Sequence, residues 1–188
     1  ATLKKEKRTY EMNSIAARFF FDCLKSKENP APLHYLINRK IEKDTIVSFG
    51  IGYAPNDWTK LTEFLKKKGF SEAEIIEAGL GSKSKNGTID KFRNRIMFPI
   101  IDIRNRVIGF GGRALDDKDV KYMNSPETCV YKKSKSLFSM NFAKNSREDY
   151  VIIVEGYMDC ISLHQAGFTN TIASLGTALT DNQAKLIK

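Results

Sequence analysis

Residues 151–175 read VIIVEGYMDCISLHQAGFTNTIASL and hold the clearest secondary-structure pattern of the chain. Val151–Val154 is wholly apolar, which is typical of a strand buried on both faces of a parallel sheet. A helix is predicted over 157–166, a second strand over Thr171–Leu175, and a capped second helix after it. The order β-α-β-α is the opening of a doubly wound α/β domain, in which helices cover a parallel sheet.

The preceding sequence follows a different pattern and predicts a mixed α/β region. A β-hairpin is predicted from the apolar runs 96–101 and 107–110. A polar loop is predicted over 81–88, with a turn at Asn86-Gly87. Five short helices are predicted before it, over 14–27, 32–39, 42–48, 59–68 and 72–78.

Two domains are expected on either side of a charged linker, KNSREDY, at 144–150. We call residues 1–149 the N-terminal segment and residues 150–188 the C-terminal segment. The expected fold class is α+β followed by α/β: a basic, mixed α/β N-terminal subdomain and the first β-α-β-α part of a Rossmann-like domain. Because the chain does not begin with Met and ends within a predicted helix, we expect it to be a piece of a longer protein.

The excess positive charge of the chain lies in the N-terminal segment. The whole chain carries 31 Lys and Arg against 22 Asp and Glu, a net charge of +9. The N-terminal segment has 29 against 19, a net charge of +10, and the C-terminal segment has 2 against 3, a net charge of −1. Such a basic segment fits a polyanionic partner such as nucleic acid, and a surface that only keeps the protein soluble is the open alternative.

The sequence lacks the features of membrane and secreted proteins. No apolar run is long enough to cross a bilayer, and the polar start ATLKKEKRTY does not resemble a signal peptide. Cys23, Cys129 and Cys160 show no CxxC spacing, so neither a disulfide framework nor a structural zinc site is supported in this chain. We therefore expect a soluble protein of the cytoplasm that does not bind membranes.

Two carboxylates follow the first strand of the C-terminal segment. Glu155 comes directly after the strand, and Asp159 lies at the start of the helix. Ligands of open α/β sheets bind at the carboxyl ends of strands, and carboxylates there suit a hard cation such as Mg²⁺. Alternatively, Asp159 only stabilises the helix N-terminus and Glu155 is a solvated turn residue. The spacing alone leaves both interpretations open.

A basic and aromatic group of residues lies around the predicted hairpin: Arg93, Arg95, Arg113, Lys121 and Tyr122. Arginine can bind phosphate through two parallel hydrogen bonds, and a tyrosine ring offers a face on which a base can stack. The run GFGG before Arg113 lacks the GxGxxG spacing and no helix is predicted after it, so a dinucleotide site is not expected. Taken singly, each residue fits an ordinary surface charge or core-edge aromatic. Together, beside a candidate metal site, they favour nucleic-acid binding.

The order of these motifs resembles the RNA polymerase core of bacterial DnaG-type primases. Five short blocks occur in the family's order and with similar gaps, and the resemblance covers nearly the whole chain. The blocks are KFRNRIMFPI (91–100), VIGFGGRAL (107–115), KYMNSPET (121–128), VIIVEGYMDCISLHQAG (151–167) and ASLGTALT (173–180). The stretch YLINRKIEKDTIVSFGIGYAP at 35–55 is similar to the corresponding region of the family.

The resemblance implies that the C-terminal segment is the first half of a Toprim domain, a metal-binding fold that primases share with topoisomerases and some nucleases. Glu155 matches the family's essential glutamate. Asp159 matches an aspartate of its acidic cluster, which implies Mg²⁺ or Mn²⁺ as the catalytic metal. The family's paired aspartate ligands lie further along the Toprim domain, so we expect only part of the metal site here.

The resemblance also implies a template or nucleotide groove in the N-terminal segment. Its residues match Arg39, Arg113, Lys121 and Tyr122, and Lys91 departs from the family's usual arginine while keeping the charge. Outside the matched part, the family has a zinc-binding domain, a helical subdomain and a helicase-binding domain. Zinc and the replicative helicase are therefore expected only through regions that this chain does not contain.

The activity implied is RNA primer synthesis on single-stranded DNA from ribonucleoside triphosphates, by two-metal nucleotidyl transfer at the bacterial replication fork. The chain alone is expected to be inactive, because its acidic cluster is incomplete. Two alternatives stay open. One is another Toprim enzyme, such as a topoisomerase or nuclease, and the other is a nucleic-acid-binding module without catalytic activity.

Overall fold

The structure, a computed structural model, describes residues 1–188 and has the mixed α/β fold class expected from the sequence. The helices are α1 Thr2–Leu24, α2 Ala31–Asn38, α3 Lys43–Phe49, α4 Lys60–Lys67, α5 Glu72–Glu77, α6 Met140–Ala143, α7 Tyr157–Gln165 and α8 Asp181–Ile187. The strands are β1 Gly52–Ala54, β2 Gly81–Ser84, β3 Gly87–Asp90, β4 Arg95–Ile101, β5 Val107–Ala114, β6 Tyr122–Asn124, β7 Ile152–Val154 and β8 Thr171–Ala173. None of the helices combines the length and apolar character that crossing a membrane requires.

The main sheet lies in the N-terminal segment and has four antiparallel strands in the order β1-β4-β5-β6. The predicted hairpin forms its centre, where β4 and β5 pair along their whole length. Helix α1 crosses β1 so closely that a Cβ added to Gly52 would come 2.5 Å from the backbone of Phe20. Glycine at this position therefore allows α1 to support the sheet from one side.

The first helix is longer than predicted. It begins at Thr2 rather than at residue 14, because Thr9 and Asn13 extend the buried stripe of the later turns. Both side chains are polar, which hides the stripe in the sequence. The buried amide of Asn13 is partly satisfied, since its Nδ2 donates a hydrogen bond of 3.1 Å to the carbonyl oxygen of Val107.

Residues 81–88 contribute to a hairpin instead of the predicted loop. Strands β2 and β3 pair over four residues each, and β3 begins at Gly87, whose φ of 116° favours glycine. Few side chains in these strands are apolar, so the hydrophobic alternation that normally predicts a strand is missing.

The C-terminal segment has the predicted β-α-β-α order. Strands β7 and β8 are parallel, with Ile152 opposite Thr171, and α7 connects them. Thr180 caps α8 through a capping box with Gln183. The prediction that the first strand is buried on both faces is wrong, because Ile153 is 44% exposed. Helices α6 and α7 pack mainly against β8, which leaves part of β7 uncovered.

The two segments share one hydrophobic core. A cluster of 18 buried residues includes Phe49 and Phe98 from the N-terminal segment and Tyr157, Ile161 and Ala173 from the C-terminal segment. The rings of Phe98 and Tyr157 stack with their centroids 5.0 Å apart. This packing fixes the start of α7 against the main sheet.

Candidate functional site

A cavity of about 520 Å³ opens where the C-terminal segment meets β6. Five of the residues singled out in the sequence line it: Arg39, Lys121, Tyr122, Glu155 and Asp159. Arg39 directly follows α2, Lys121 directly precedes β6, and Tyr122 is the first residue of β6. Glu155 directly follows β7, and Asp159 lies in α7. The fold therefore brings the acidic pair and part of the basic group to one site.

The acidic side of the cavity is built on the turn between β7 and α7. Gly156 is the N-cap residue of α7, and a Cβ there would lie 3.4 Å from Oδ2 of Asp159. Glu155 and Asp159 are both exposed, and neither belongs to any ion pair of the chain. Their carboxylate oxygens are therefore free to bind a cation.

These two carboxylates fit a divalent cation as part of its ligand set. Mg²⁺ is commonly held by one or two protein carboxylates, while water and substrate phosphates complete its octahedral coordination. The chain has no group of three or more His, Cys, Asp and Glu side chains arranged to hold a metal ion. The donor chemistry of Glu155 and Asp159 thus suits Mg²⁺ or Mn²⁺, with further ligands supplied from elsewhere.

Arg113 lies between two tyrosine rings beside the cavity. Its guanidinium carbon is 5.1 Å from the ring centroid of Tyr35 and 5.5 Å from that of Tyr122. The guanidinium of Arg39 approaches the same Tyr35 ring at 5.8 Å. The buried Nε of Arg113 has no hydrogen-bond partner within the chain. Partial burial raises the pKa of Tyr122, while the neighbouring Arg113 acts in the opposite direction.

Tyr35 was not singled out in the sequence, although a signal was available. It precedes Arg39, the residue directly after α2, by four positions, and the two side chains lie close to each other. The ring of Tyr35 therefore contacts the guanidinium groups of both Arg39 and Arg113. Asn124 was also missed, and it shares a side of β6 with Tyr122 because alternate residues of a strand point the same way.

Asn124 of β6 and Tyr157 of α7 connect the N-terminal and C-terminal segments at the site. The Tyr157 hydroxyl donates a hydrogen bond of 2.6 Å to Oδ1 of Asn124. Nδ2 of Asn124 donates at 3.5 Å to the carbonyl oxygen of Leu175, in the turn after β8. Burial raises the pKa of Tyr157 well above its ordinary value. Both residues line the cavity.

The structure places Arg93 and Arg95 outside the cavity. Arg95 is buried, and its Nη1 donates hydrogen bonds to the carbonyl oxygens of Val120 at 2.7 Å and Gly112 at 3.3 Å. This guanidinium stabilises the backbone and is not accessible to a phosphate, which corrects the prediction for Arg95. Arg93 lies instead over the ring of Trp58, 4.3 Å from its centroid, and Trp58 is 62% exposed.

Comparison with known families assigns the two segments. The model of the DNA primase catalytic core, N-terminal domain, matches residues 19–144. The chain belongs to the DnaG-type primase family. The Toprim domain model matches residues 149–188, in agreement with the β-α-β-α order. The family expected from the motifs is thus confirmed.

Individual relatives of the family agree with this assignment. A DNA primase of Clostridium acetobutylicum is 53% identical over 98% of this chain. The RNA polymerase domain of the Mycobacterium tuberculosis primase DnaG, solved with a double-stranded DNA oligomer that has a 6-nucleotide overhang, superposes with a TM-score of 0.91 at 36% identity, over 96% of this chain and 58% of that one. A DnaG primase catalytic domain bound to ssDNA gives a TM-score of 0.90 at 34% identity, over 98% and 61%. The chain spans 31% of the Clostridium protein, about a third of its length.

Proposed function

We propose that this chain is the nucleotide-joining core of a DNA primase that copies single-stranded DNA into a short RNA primer. The observation that carries the proposal is the shared cavity, which unites Glu155 and Asp159 with Arg39, Lys121 and Tyr122. Carboxylates for a metal and basic groups for phosphates are the two requirements of nucleotidyl transfer. Membership of the primase family supports the same conclusion.

Glu155 and Asp159 would hold Mg²⁺ or Mn²⁺ through their free carboxylate oxygens. When bound in pairs, such ions activate a 3′-hydroxyl and neutralise the departing pyrophosphate. The protein contributes fixed carboxylate positions, because α7 is packed against the main sheet by Tyr157 and Phe98. A fixed ligand set lowers the cost of reorganisation during the reaction.

Arg39 and Lys121 face the cavity and would bind the phosphates of the ribonucleoside triphosphate or of the template. Arg113 is held in place by the rings of Tyr35 and Tyr122, and its guanidinium would add positive charge beside the phosphates. Tyr122 is 36% exposed, and the exposed part of its ring would contact a base. This arrangement supports binding of both nucleotide and template.

We propose that the template continues past the cavity to Trp58 and Arg93. An exposed indole beneath a guanidinium is a suitable platform for a base and its phosphate. The positive charge of the N-terminal segment supports such a path. A solved DnaG catalytic domain bound to ssDNA, to which this chain is similar, is further support.

The remaining partners are also part of the proposal. In a protein as long as its relatives, other Toprim residues would complete the metal site. A separate domain would hold zinc, and a further domain outside this chain would bind the replicative helicase. The chain alone would then bind DNA without joining nucleotides, because two carboxylates hold Mg²⁺ weakly. Primer synthesis would take place in the bacterial cytoplasm, at the replication fork.

Three assays on the full-length protein separate this function from its rivals. We expect template-dependent incorporation of ribonucleotides that requires Mg²⁺ or Mn²⁺. Relaxation or nicking of supercoiled plasmid without incorporation would instead indicate a topoisomerase or nuclease of the Toprim fold. DNA binding that is independent of magnesium, with neither chemistry, would indicate a binding module and would contradict the proposal.

A further inference from the structure

Tyr157 lies between the two candidate metal ligands, Glu155 and Asp159, in the sequence, and its side chain is held firmly in place. Its ring is 3% exposed and lies nearly parallel to that of Phe98, with an angle of 7° between the planes. The ring also lies against Gly111, where an added Cβ would overlap it. Because the ring is confined by these contacts, its hydroxyl group can reach only a small region.

That hydroxyl has one hydrogen-bond partner in the chain, Oδ1 of Asn124, at 2.6 Å. Because an amide oxygen can only accept, the Tyr157 hydroxyl is the donor of this hydrogen bond. The carbonyl oxygen of Leu175 can also only accept, so the contact of 3.5 Å requires Nδ2 on that side of the amide and leaves Oδ1 for the Tyr157 hydroxyl. The Asn124 side chain is thereby held with Oδ1 toward Tyr157 and Nδ2 away from it.

We propose that Tyr157 is a positioning residue. It orients the Asn124 amide so that an N–H group of Nδ2 can donate a hydrogen bond to a ligand in the cavity. The inference rests on the proposed function, since an N–H donor there suits an anionic oxygen of the incoming ribonucleoside triphosphate. Nδ2 has a long hydrogen bond of 3.5 Å to Leu175, which leaves it donor capacity for a ligand. Without the tyrosine hydroxyl the amide can rotate, and its oxygen then repels a phosphate.

The test replaces Tyr157 by Phe in the full-length protein and measures ribonucleotide incorporation at varied nucleotide concentration. Phe keeps the ring contacts with Phe98 and Gly111 and removes only the hydroxyl. We expect KM for the nucleotide to rise by about tenfold, the size of one lost hydrogen bond to a charged group, with little change in kcat. A loss of folded protein would lower the apparent kcat and leave KM unchanged.

Tyr131→Phe is the matched control. Tyr131 belongs to the same hydrophobic core, is fully buried, and its hydroxyl has no hydrogen-bond partner. It does not line the cavity. Removing this hydroxyl deletes a buried polar atom of the same kind without disturbing Asn124, so KM should not change.

A double-mutant cycle with Asn124→Ala tests the route of the effect. If Tyr157 acts through Asn124, Tyr157→Phe should change KM little once the amide is absent. Full additivity of the two substitutions, or equal KM values for Tyr157→Phe and Tyr131→Phe in an active protein, would overturn the inference alone. Absence of incorporation by the unmodified protein would overturn the proposed function together with it.

Discussion

Gly111 is packed so closely beside the site that a larger side chain would not fit without a shift of its neighbours. It lies under the ring of Tyr157, which an added Cβ would overlap. We expect Gly111→Ala to lower the free energy of unfolding by about 1–3 kcal/mol, the usual cost of overpacking. Urea unfolding followed by circular dichroism measures it. Gly156→Ala is the control, since its φ is −118° and the nearest new contact is at 3.4 Å. Equal losses in both variants would contradict this packing.

Single residues differed in how far the sequence could predict their roles. Glu155 and Asp159 were found because they follow an apolar strand, and strand ends are where ligands bind. Arg95 and Arg113 could not be distinguished, because both lie on strands of the same hairpin. Their roles differ only after folding, when the carbonyl oxygen of Val120 covers Arg95 and two tyrosine rings flank Arg113.

At the scale of elements, α4 depends on a carboxylate from a distant strand. Asp90, at the end of β3, accepts hydrogen bonds from the backbone N–H groups of Leu61 at 2.9 Å and Thr62 at 2.8 Å. It also accepts one of 2.7 Å from the Thr62 hydroxyl. These contacts satisfy the first turn of α4, whose N-cap residue Thr59 provides no side-chain hydrogen bond.

Loss of this cap should therefore destabilise the N-terminal segment. We expect Asp90→Ala to lower the free energy of unfolding by about 1–3 kcal/mol, because buried donors lose their partner. Asp117→Ala removes an exposed carboxylate and serves as the control. Thermal and urea unfolding give the comparison. A change no larger than that of the control would show that α4 does not need Asp90.

Among the elements, those with a regular apolar pattern were predicted and those without one were missed. The hairpin of β4 and β5 and the β-α-β-α part of the C-terminal segment have such a pattern in their sequence. The first half of α1 buries polar side chains, and β2 and β3 have almost no apolar ones, so neither gave a signal. Helix α5 was predicted, since it begins with a capping box of Ser71 and Glu74, a signal that depends on local spacing alone.

At the scale of the whole molecule, an ion pair joins the first helix to α5. Nε of Arg8 lies 2.9 Å from Oε1 of Glu74. The hydrogen bond from Arg8 holds the pKa of Glu74 at about 2, below its ordinary value of 4.5. Because the pKa of the folded state is the lower one, this pair stabilises the fold above pH 4.5, and its contribution is lost as the pH falls toward 2.

Glu74→Gln should remove this part of the pH dependence. The variant is expected to be less stable than the unmodified chain at neutral pH, and the difference should shrink as the pH falls from 4.5 toward 2. Urea midpoints measured across this range provide the test. Glu28→Gln, at an exposed carboxylate outside any ion pair, is the control. A difference that stays constant with pH would contradict the low pKa.

The cavity itself belongs to the whole molecule and could not be derived from local patterns. Arg39, Tyr122 and Glu155 come from distant parts of the chain, and only the shared core brings them together. The order of motifs indicated the family, and with it the roles expected for these residues. The link between Tyr157 and Asn124 became visible only in the structure.

The central claim is that one cavity holds both the metal-binding carboxylates and the groups that bind nucleic acid. It is tested most directly by Glu155→Gln in the full-length protein, with ribonucleotide incorporation and single-stranded DNA binding measured on the same preparation. Glu148→Gln, in the exposed linker, is the control. We predict that Glu155→Gln lowers incorporation by about a hundredfold or more and leaves DNA binding unchanged. Full incorporation by the variant, or an equal loss of binding and incorporation, would contradict the account.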